Sequence, residues 1–171
     1  MAQKKQKFSS WEWECIDAEV EMNSPDEATF YFYGNIPSKK NQRQNFWRVS
    51  LPSANYIEWH KRILEKLKWK ARLIWLWPFE IDIQTIYHSR RRKDCDNVVS
   101  SILDTLQDLW VIPDDDNETV RKITVTNAGY VKNAPITKIV VKQYNDDKWL
   151  NNETDYKGTN LKQLKHLFIN K

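Results

Sequence analysis

The chain has 171 residues, 27 Lys and Arg against 23 Asp and Glu, and a formal net charge of +4. That length sets one domain with a moderate core, and the mild positive charge does not by itself declare a nucleic-acid partner. Three glycines exclude a glycine-rich phosphate loop, two distant cysteines argue against a disulfide scaffold, and a polar N-terminus without a long apolar run argues against a leader or membrane span, so the expected place is the cytoplasm.

In chain order, residues 1–10 are Lys-, Gln- and Ser-rich and are expected to fray. Trp11, Trp13 and Cys15 alternate with glutamates and predict a strand with one wet face, running toward Met22. Asn23-Ser24-Pro25-Asp26 signals a turn, and the aromatic, β-branched run from Ala28 to Ile36 predicts a second strand. A polar, cationic loop follows over 37–48. Ser53 is placed to cap a helix carrying Tyr56, Trp59, Ile63 and Leu67 on one face, and Trp77-Pro78 is expected to end it.

Phe79, Ile81 and Ile83 alternate with Glu80, Asp82 and Gln84, the clearest strand signal in the chain, continuing to Tyr87. A second helix is predicted from about Asn97 to Trp110, with Val98, Ile102, Leu106 and Leu109 in its apolar stripe and Ser101, Asp104, Gln107 and Asp108 off it. Residues 120–126 and 136–144 predict two strands joined as a hairpin. A polar linker and a short C-terminal helix complete the chain. Loosely interleaved strands and helices give an α+β class, a small mixed sheet with helices packed on it.

The chemistry concentrates in two places. Arg90-Arg91-Arg92-Lys93 run directly into Asp94-Cys95-Asp96-Asn97 at the mouth of the second helix, and Asp114-Asp115-Asp116 follow that helix. Taken singly, an Asp at a helix start caps it, and acids beside a proline make a solvated turn. Taken together, clustered carboxylates repel unless a cation compensates, and oxygen ligands suit Mg²⁺ or Mn²⁺. A helix of roughly 14 residues spans about 20 Å, so the loop from Pro113 must fold back for Asp115 to reach Asp94 and Asp96. The cations of 90–93, with Lys39, Lys40 and Arg43, can hold backbone phosphates, and Phe46 and Trp47 can stack on bases. His88 lies near the cationic loop, but no Ser/His/Asp or Cys/His arrangement is readable from spacing.

Over residues 28–145 the chain resembles the RusA-like Holliday junction resolvases of bacteria and their phages. The resemblance rests on Ile36-Pro37-Ser38-Lys39-Lys40-Asn41, the arginine-rich approach to Asp94-x-Asp96-Asn97, the helix with Leu103-Asp104-x-Leu106, then Ile112-Pro113-Asp114-Asp115 and the strands from Val120 to Tyr144. It implies a homodimeric α+β fold that cleaves four-way DNA junctions with Mg²⁺ or Mn²⁺ in recombination and repair. Asp94, Asp96 and Asp115 match the family's metal-binding aspartates, Asp114 is the neighbouring acid, and Asp116 is an alternative by a one-residue slip. The family's lysine four residues after the second Asp is Ser100 here, with Lys93 or Lys40 as replacements. The resemblance sets residues 1–27 apart as an N-terminal extension and 146–171 as a linker and appended helix.

The leading expectation is therefore a metal-dependent endodeoxyribonuclease for branched DNA. Asp94, Asp96 and Asp115 would be catalytic and hold the metal with Asp114, while Lys39, Lys40, Arg43, Arg90, Arg91, Arg92 and Lys93 would grip DNA. The alternative, motivated by Ser100, is a non-catalytic branched-DNA or duplex-binding protein. A third reading makes the acids mere caps and turns of an interaction module.

Overall fold

A computed structural model describes residues 16–39, 52–68, 70, 78–90 and 95–145, and the backbone of 44–46 and 49–51. Its strands are β1 (Asp17–Ser24), β2 (Glu27–Tyr33), β3 (Gln44–Phe46), β4 (Val49–Leu51), β5 (Phe79–Tyr87), β6 (Val120–Tyr130) and β7 (Ile136–Gln143). Among the described residues two helices, α1 (Ala54–Leu67) and α2 (Cys95–Asp108), join these strands in an α+β fold. Five strands form one mixed sheet in the order β1-β2-β7-β5-β6, and β3 and β4 pair as a separate ribbon. Only β5 and β6 run parallel, joined by α2 as a crossover.

The sheet is wet on one face and covered by both helices on the other. Phe79, Ile81, Ile83 and Thr85 of β5 are buried and their alternates are not, the period of two expected of a half-covered strand. Phe30 and Phe32 of β2 and Ile139 and Val141 of β7 join them, against Trp59, Ile63 and Leu67 of α1 and Ile102 and Leu106 of α2. The rings of Phe32 and Trp59 meet edge to face at 6.0 Å. Ser53 caps α1 as expected: its backbone is extended and its Oγ accepts the Tyr56 amide at 3.1 Å.

Three expectations change. The strand expected from Trp11 toward Met22 is met within the described residues by β1, which pairs along β2 from Asp17 to Ser24, and residues 1–15 lie outside them. The sheet therefore starts before residue 28. Helix α1 stops at Leu67 rather than near Trp77, because Lys68 leaves helical ψ at 123°. The second helix begins at Cys95 and ends at Asp108. Finally, β6 and β7 are not a hairpin. β7 lies between β2 and β5, antiparallel to both, so the chain crosses the end of β5 from β6 to β7. β7 alternates buried Thr137, Ile139 and Val141 with partly exposed neighbours, and a central place between two strands satisfies that pattern. The C-terminal segment 146–171, read as linker and helix, lies outside the described residues. No helix among the described residues is long and apolar enough to cross a membrane.

Candidate functional site

Helix α2 is the organising element, and its two ends do different work. Asp96 sits exposed in its first turn, where a carboxylate is favoured by the helix dipole. The end of β5 enters this corner through Tyr87, His88 and Arg90. Asp94, Arg91, Arg92, Lys93, Lys40 and Arg43 lie outside the described residues, so their expected roles stay with the sequence.

The loop over 34–39 is tied to α2 by a buried serine. Gly34 turns the chain at φ 94°, a backbone conformation that L side chains rarely adopt, and its N–H donates to Pro135 O at 2.9 Å. Ser101, fully buried, has its Oγ within hydrogen-bond reach of Pro37 O at 2.9 Å and Asn97 O at 3.0 Å, and it accepts the Lys39 amide at 3.3 Å. Lys39 Nζ then reaches Asp104 Oδ2 at 2.8 Å. The Lys39 ammonium, one of the cations expected to hold DNA, is engaged by the Asp104 carboxylate on α2, and it anchors the loop beside the helix. Ser101 was read as off the apolar stripe and is buried, as is Thr105. Their hydroxyls are satisfied by backbone carbonyls, Thr105 Oγ1 donating to Ser101 O at 2.7 Å.

Between the helices, Tyr56 stacks on His60 with ring centroids 5.4 Å apart. His60 Nε2 lies 3.1 Å from Asp108 Oδ2 without forming a hydrogen bond. Burial pushes the His60 pKa down, and the nearby Asp108 and Asp104 charges only partly oppose it. Burial, with the same two carboxylates, pushes the Tyr56 phenol well above its usual range.

The far end of α2 closes with a reciprocal pair of backbone bonds. Val111 N–H donates to Leu106 O and Trp110 N–H to Gln107 O, both at 2.9 Å, a Schellman arrangement that puts Trp110 at the left-handed position, φ 59°. That position is usually glycine. The indole it carries is 80% exposed, the largest apolar side chain offered to solvent among the described residues. Nothing in the sequence pattern marked Trp110 as other than the end of the stripe.

Just beyond, the three acids separate by role. Asp116 Oδ1 accepts the amides of Glu118 at 2.9 Å and Thr119 at 2.7 Å, and these bonds hold its carboxyl below the usual carboxylate range. It caps the turn after α2. Asp114 Oδ1 accepts the Asp115 amide at 2.8 Å and Gln107 Nε2 at 3.4 Å. Asp115 is exposed, and among the described residues its carboxylate has no partner; the same holds for Asp96.

Asp96 and Asp115 do not converge within one chain. Asp114 is held to Gln107 in the last turn of α2, while Asp96 stands in the first, and 14 residues of helix span about 20 Å. The sheet agrees: Phe79 pairs with Val120 and its N–H donates to Thr119 O at 2.7 Å, so the acidic loop lies at the start of β5, whereas Asp96 follows its end. The parallel crossover is the physical reason, because it returns the chain to the end of the sheet from which β5 set out. Among the described residues no three His, Cys, Asp or Glu side chains group to hold a metal ion. No family model matches the chain, and no curated protein matches it.

Proposed function

We propose that the chain is a metal-dependent endodeoxyribonuclease acting on branched DNA. The observation that carries this reading is the selective freedom of two carboxylates. Asp104 and Asp116 around α2 are engaged by Lys39 and by backbone amides, while Asp96 and Asp115 face solvent without partners among the described residues. Uncommitted carboxylates, Asp96 beside the cationic 90–93 run and Asp115 beyond the far end of α2, are oxygen donors of the kind a hard divalent cation takes. The donor chemistry fits Mg²⁺ or Mn²⁺: Asp96 with Asp94 would form one half of the set, and Asp115 with Asp114 the other. Bound there, such an ion would lower the pKa of a water and offset developing phosphate charge.

The protein's own residues supply position. Ser101 and Lys39 fix the 34–39 loop beside the first turns of α2, and Arg90 at the end of β5 stands ready for backbone phosphates. Trp110 offers an aromatic face to an unstacked base. The separation of the acids within one chain favours a second reading, a non-catalytic branched-DNA binder, for a chain that acts alone.

A labelled four-way junction and a matched linear duplex, each incubated with Mg²⁺ and with chelator, separate the two. The nuclease reading expects Mg²⁺-dependent cuts in the junction, abolished by Asp96→Asn while junction binding persists. Undiminished cutting by Asp96→Asn would sink the site assignment, and salt-sensitive binding with no cutting would establish the second reading.

A further inference from the structure

The end of β6 breaks the register that the rest of the strand keeps. Ile123 pairs with Ile81, Val125 with Ile83 and Asn127 with Thr85; then Gly129 pairs with Ile86 and Tyr130 with Tyr87, so Ala128 has no partner. One unpaired residue is a β-bulge, and it exchanges the faces of everything beyond it. Without the bulge Tyr130 would alternate onto the wet face with Thr124 and Thr126. With it Tyr130 stands beside Tyr87 on the face that carries α2. Gly129 permits the bulge: its φ of 132° is one that L side chains rarely adopt, and its N–H donates to Asn127 Oδ1 at 3.0 Å.

That face leads to Asp96. Tyr87 and Val98 of α2 line one small cavity. Burial raises the Tyr87 phenol above its usual range, and the Cys95 thiol at the start of α2 adds to that. The rings of Tyr87 and Tyr130 lie 6.4 Å apart, tilted by 36°. Asn127 Nδ2 donates to Tyr130 Oη at 3.1 Å, so the outer ring is held by a neighbouring ring and by its own hydroxyl. It is nevertheless 46% exposed, and Val131 after it 47%. The loop that follows crosses the end of β5, where Val131 N–H donates to Tyr87 O at 2.9 Å. Arg90 and Lys132 are exposed at this end of the sheet, and neither makes an ion pair among the described residues.

We propose that Tyr130 is a stacking platform for an unpaired base, with Arg90 and Lys132 holding neighbouring phosphates, so that a single-stranded stretch of DNA is led toward Asp96. This rests on the reading of the chain as a DNA enzyme and names the part of the substrate that is recognised. A fixed ring with a free face takes any base, because every base has a π-face, and the flanking cations take the backbone. A phenol already held in place loses little rotamer freedom when a base settles on it. Two exposed apolar side chains bounded by cations are too narrow a surface for a protein partner. The bulge supplies the position: it sets the ring on the one face where the first turn of α2 begins.

Binding measured in chelator separates this from cutting. A duplex with a short single-stranded gap and a fully paired duplex are titrated with the full chain, and a fluorescent adenine analogue in the gap reports stacking. The wild type should prefer the gapped duplex and quench the analogue. Tyr130→Ala should lower that preference about tenfold and lose the quenching, whereas Tyr130→Phe keeps both. Wild-type preference and quenching in Tyr130→Ala would overturn the platform, and so would a wild type that shows no preference. Arg90→Ala combined with Lys132→Ala should flatten the salt dependence of gapped-duplex binding, its slope falling by about 1.4; an unchanged slope would overturn the role of the two cations. If Tyr130→Ala does not fold, the wild type is irradiated with iodouracil in the gap, and the crosslinked peptide should contain Tyr130. Crosslinks found only elsewhere would overturn the proposal. A wild type that binds and quenches but never cuts a junction with Mg²⁺ would end the nuclease reading and leave the platform standing. Mg²⁺-dependent cutting by a Tyr130→Ala chain with wild-type preference would do the reverse.

Discussion

β5 and β6 run side by side in the same direction, and both carry β-branched residues, Ile81, Ile83, Thr85 and Ile86 on one and Ile123, Thr124, Val125 and Thr126 on the other. β5 alternates buried and half-buried residues throughout, whereas β6 beyond Arg121 is exposed on both faces except at Gly129. The difference lies in what covers them. Among the described residues, β5 has β7 on one side, β6 on the other and both helices beneath its apolar face, while β6 has a neighbour on one side only. Similar composition therefore carries different energy: burial is a property of position in the sheet, and the apolar side chains of β6 become informative because they are left in water.

The largest expected effect tests that contrast directly. Ile83→Ala removes a fully buried side chain and should cost about 2–5 kcal/mol in chemical denaturation. Its register partner Val125, changed to Ala, should alter stability by no more than about 0.5 kcal/mol. Equal losses at the two positions would show that β6 is as well covered as β5.

A smaller effect, of opposite sign, is expected where the chain turns from α2 toward β6. Trp110→Gly relieves the left-handed backbone of a bulky residue and should raise stability by about 1 kcal/mol. If the exposed indole stacks on DNA, the same variant binds the junction more weakly. A Trp110→Gly chain that is no more stable in thermal unfolding would mean that the corner carries no strain.

The smallest effect concerns the ion pairs that join β5 to both of its neighbours, β6 and β7, on the wet face. Glu80 Oε1 meets Lys122 Nζ at 2.6 Å and Oε2 meets Lys142 Nζ at 3.7 Å. The hydrogen bond from Lys122 is the main cause holding the Glu80 carboxyl below its usual range, with Lys142 adding and burial opposing. A lowered acid pKa stabilises the fold above the unfolded value, and that contribution fades as pH falls through the folded value. Glu80→Gln should thus cost under about 1 kcal/mol at neutral pH, and that penalty should fade as pH falls through the lowered folded value. A penalty independent of pH would assign the effect to packing.

Where a signal was local, it was legible. The β5 alternation, the Ser53 cap, the α1 face of Tyr56, Trp59, Ile63 and Leu67, and the turn after Asn23 are all found where the residues predict them. The predicted β6–β7 hairpin was wrong because a short connection resembles a turn whether it joins neighbours or steps over a strand. Ser101 and Thr105 could not be read as buried, because the carbonyl that receives Ser101 from outside the helix belongs to Pro37, 64 residues away. The acids were legible as a set but not as an arrangement.

What the residues determined by themselves is the inventory: a half-wet central strand, two amphipathic helices, two acidic clusters and a cationic approach. Periodicity and capping act over a few residues, so a chain reveals them without its fold. Tertiary structure alone decided that β7 enters beside β5, that β6 is left at the edge, and that α2 holds Asp96 and Asp115 apart. A parallel crossover must carry the chain back along the whole sheet before the next strand begins, and that return is what separates the two carboxylates.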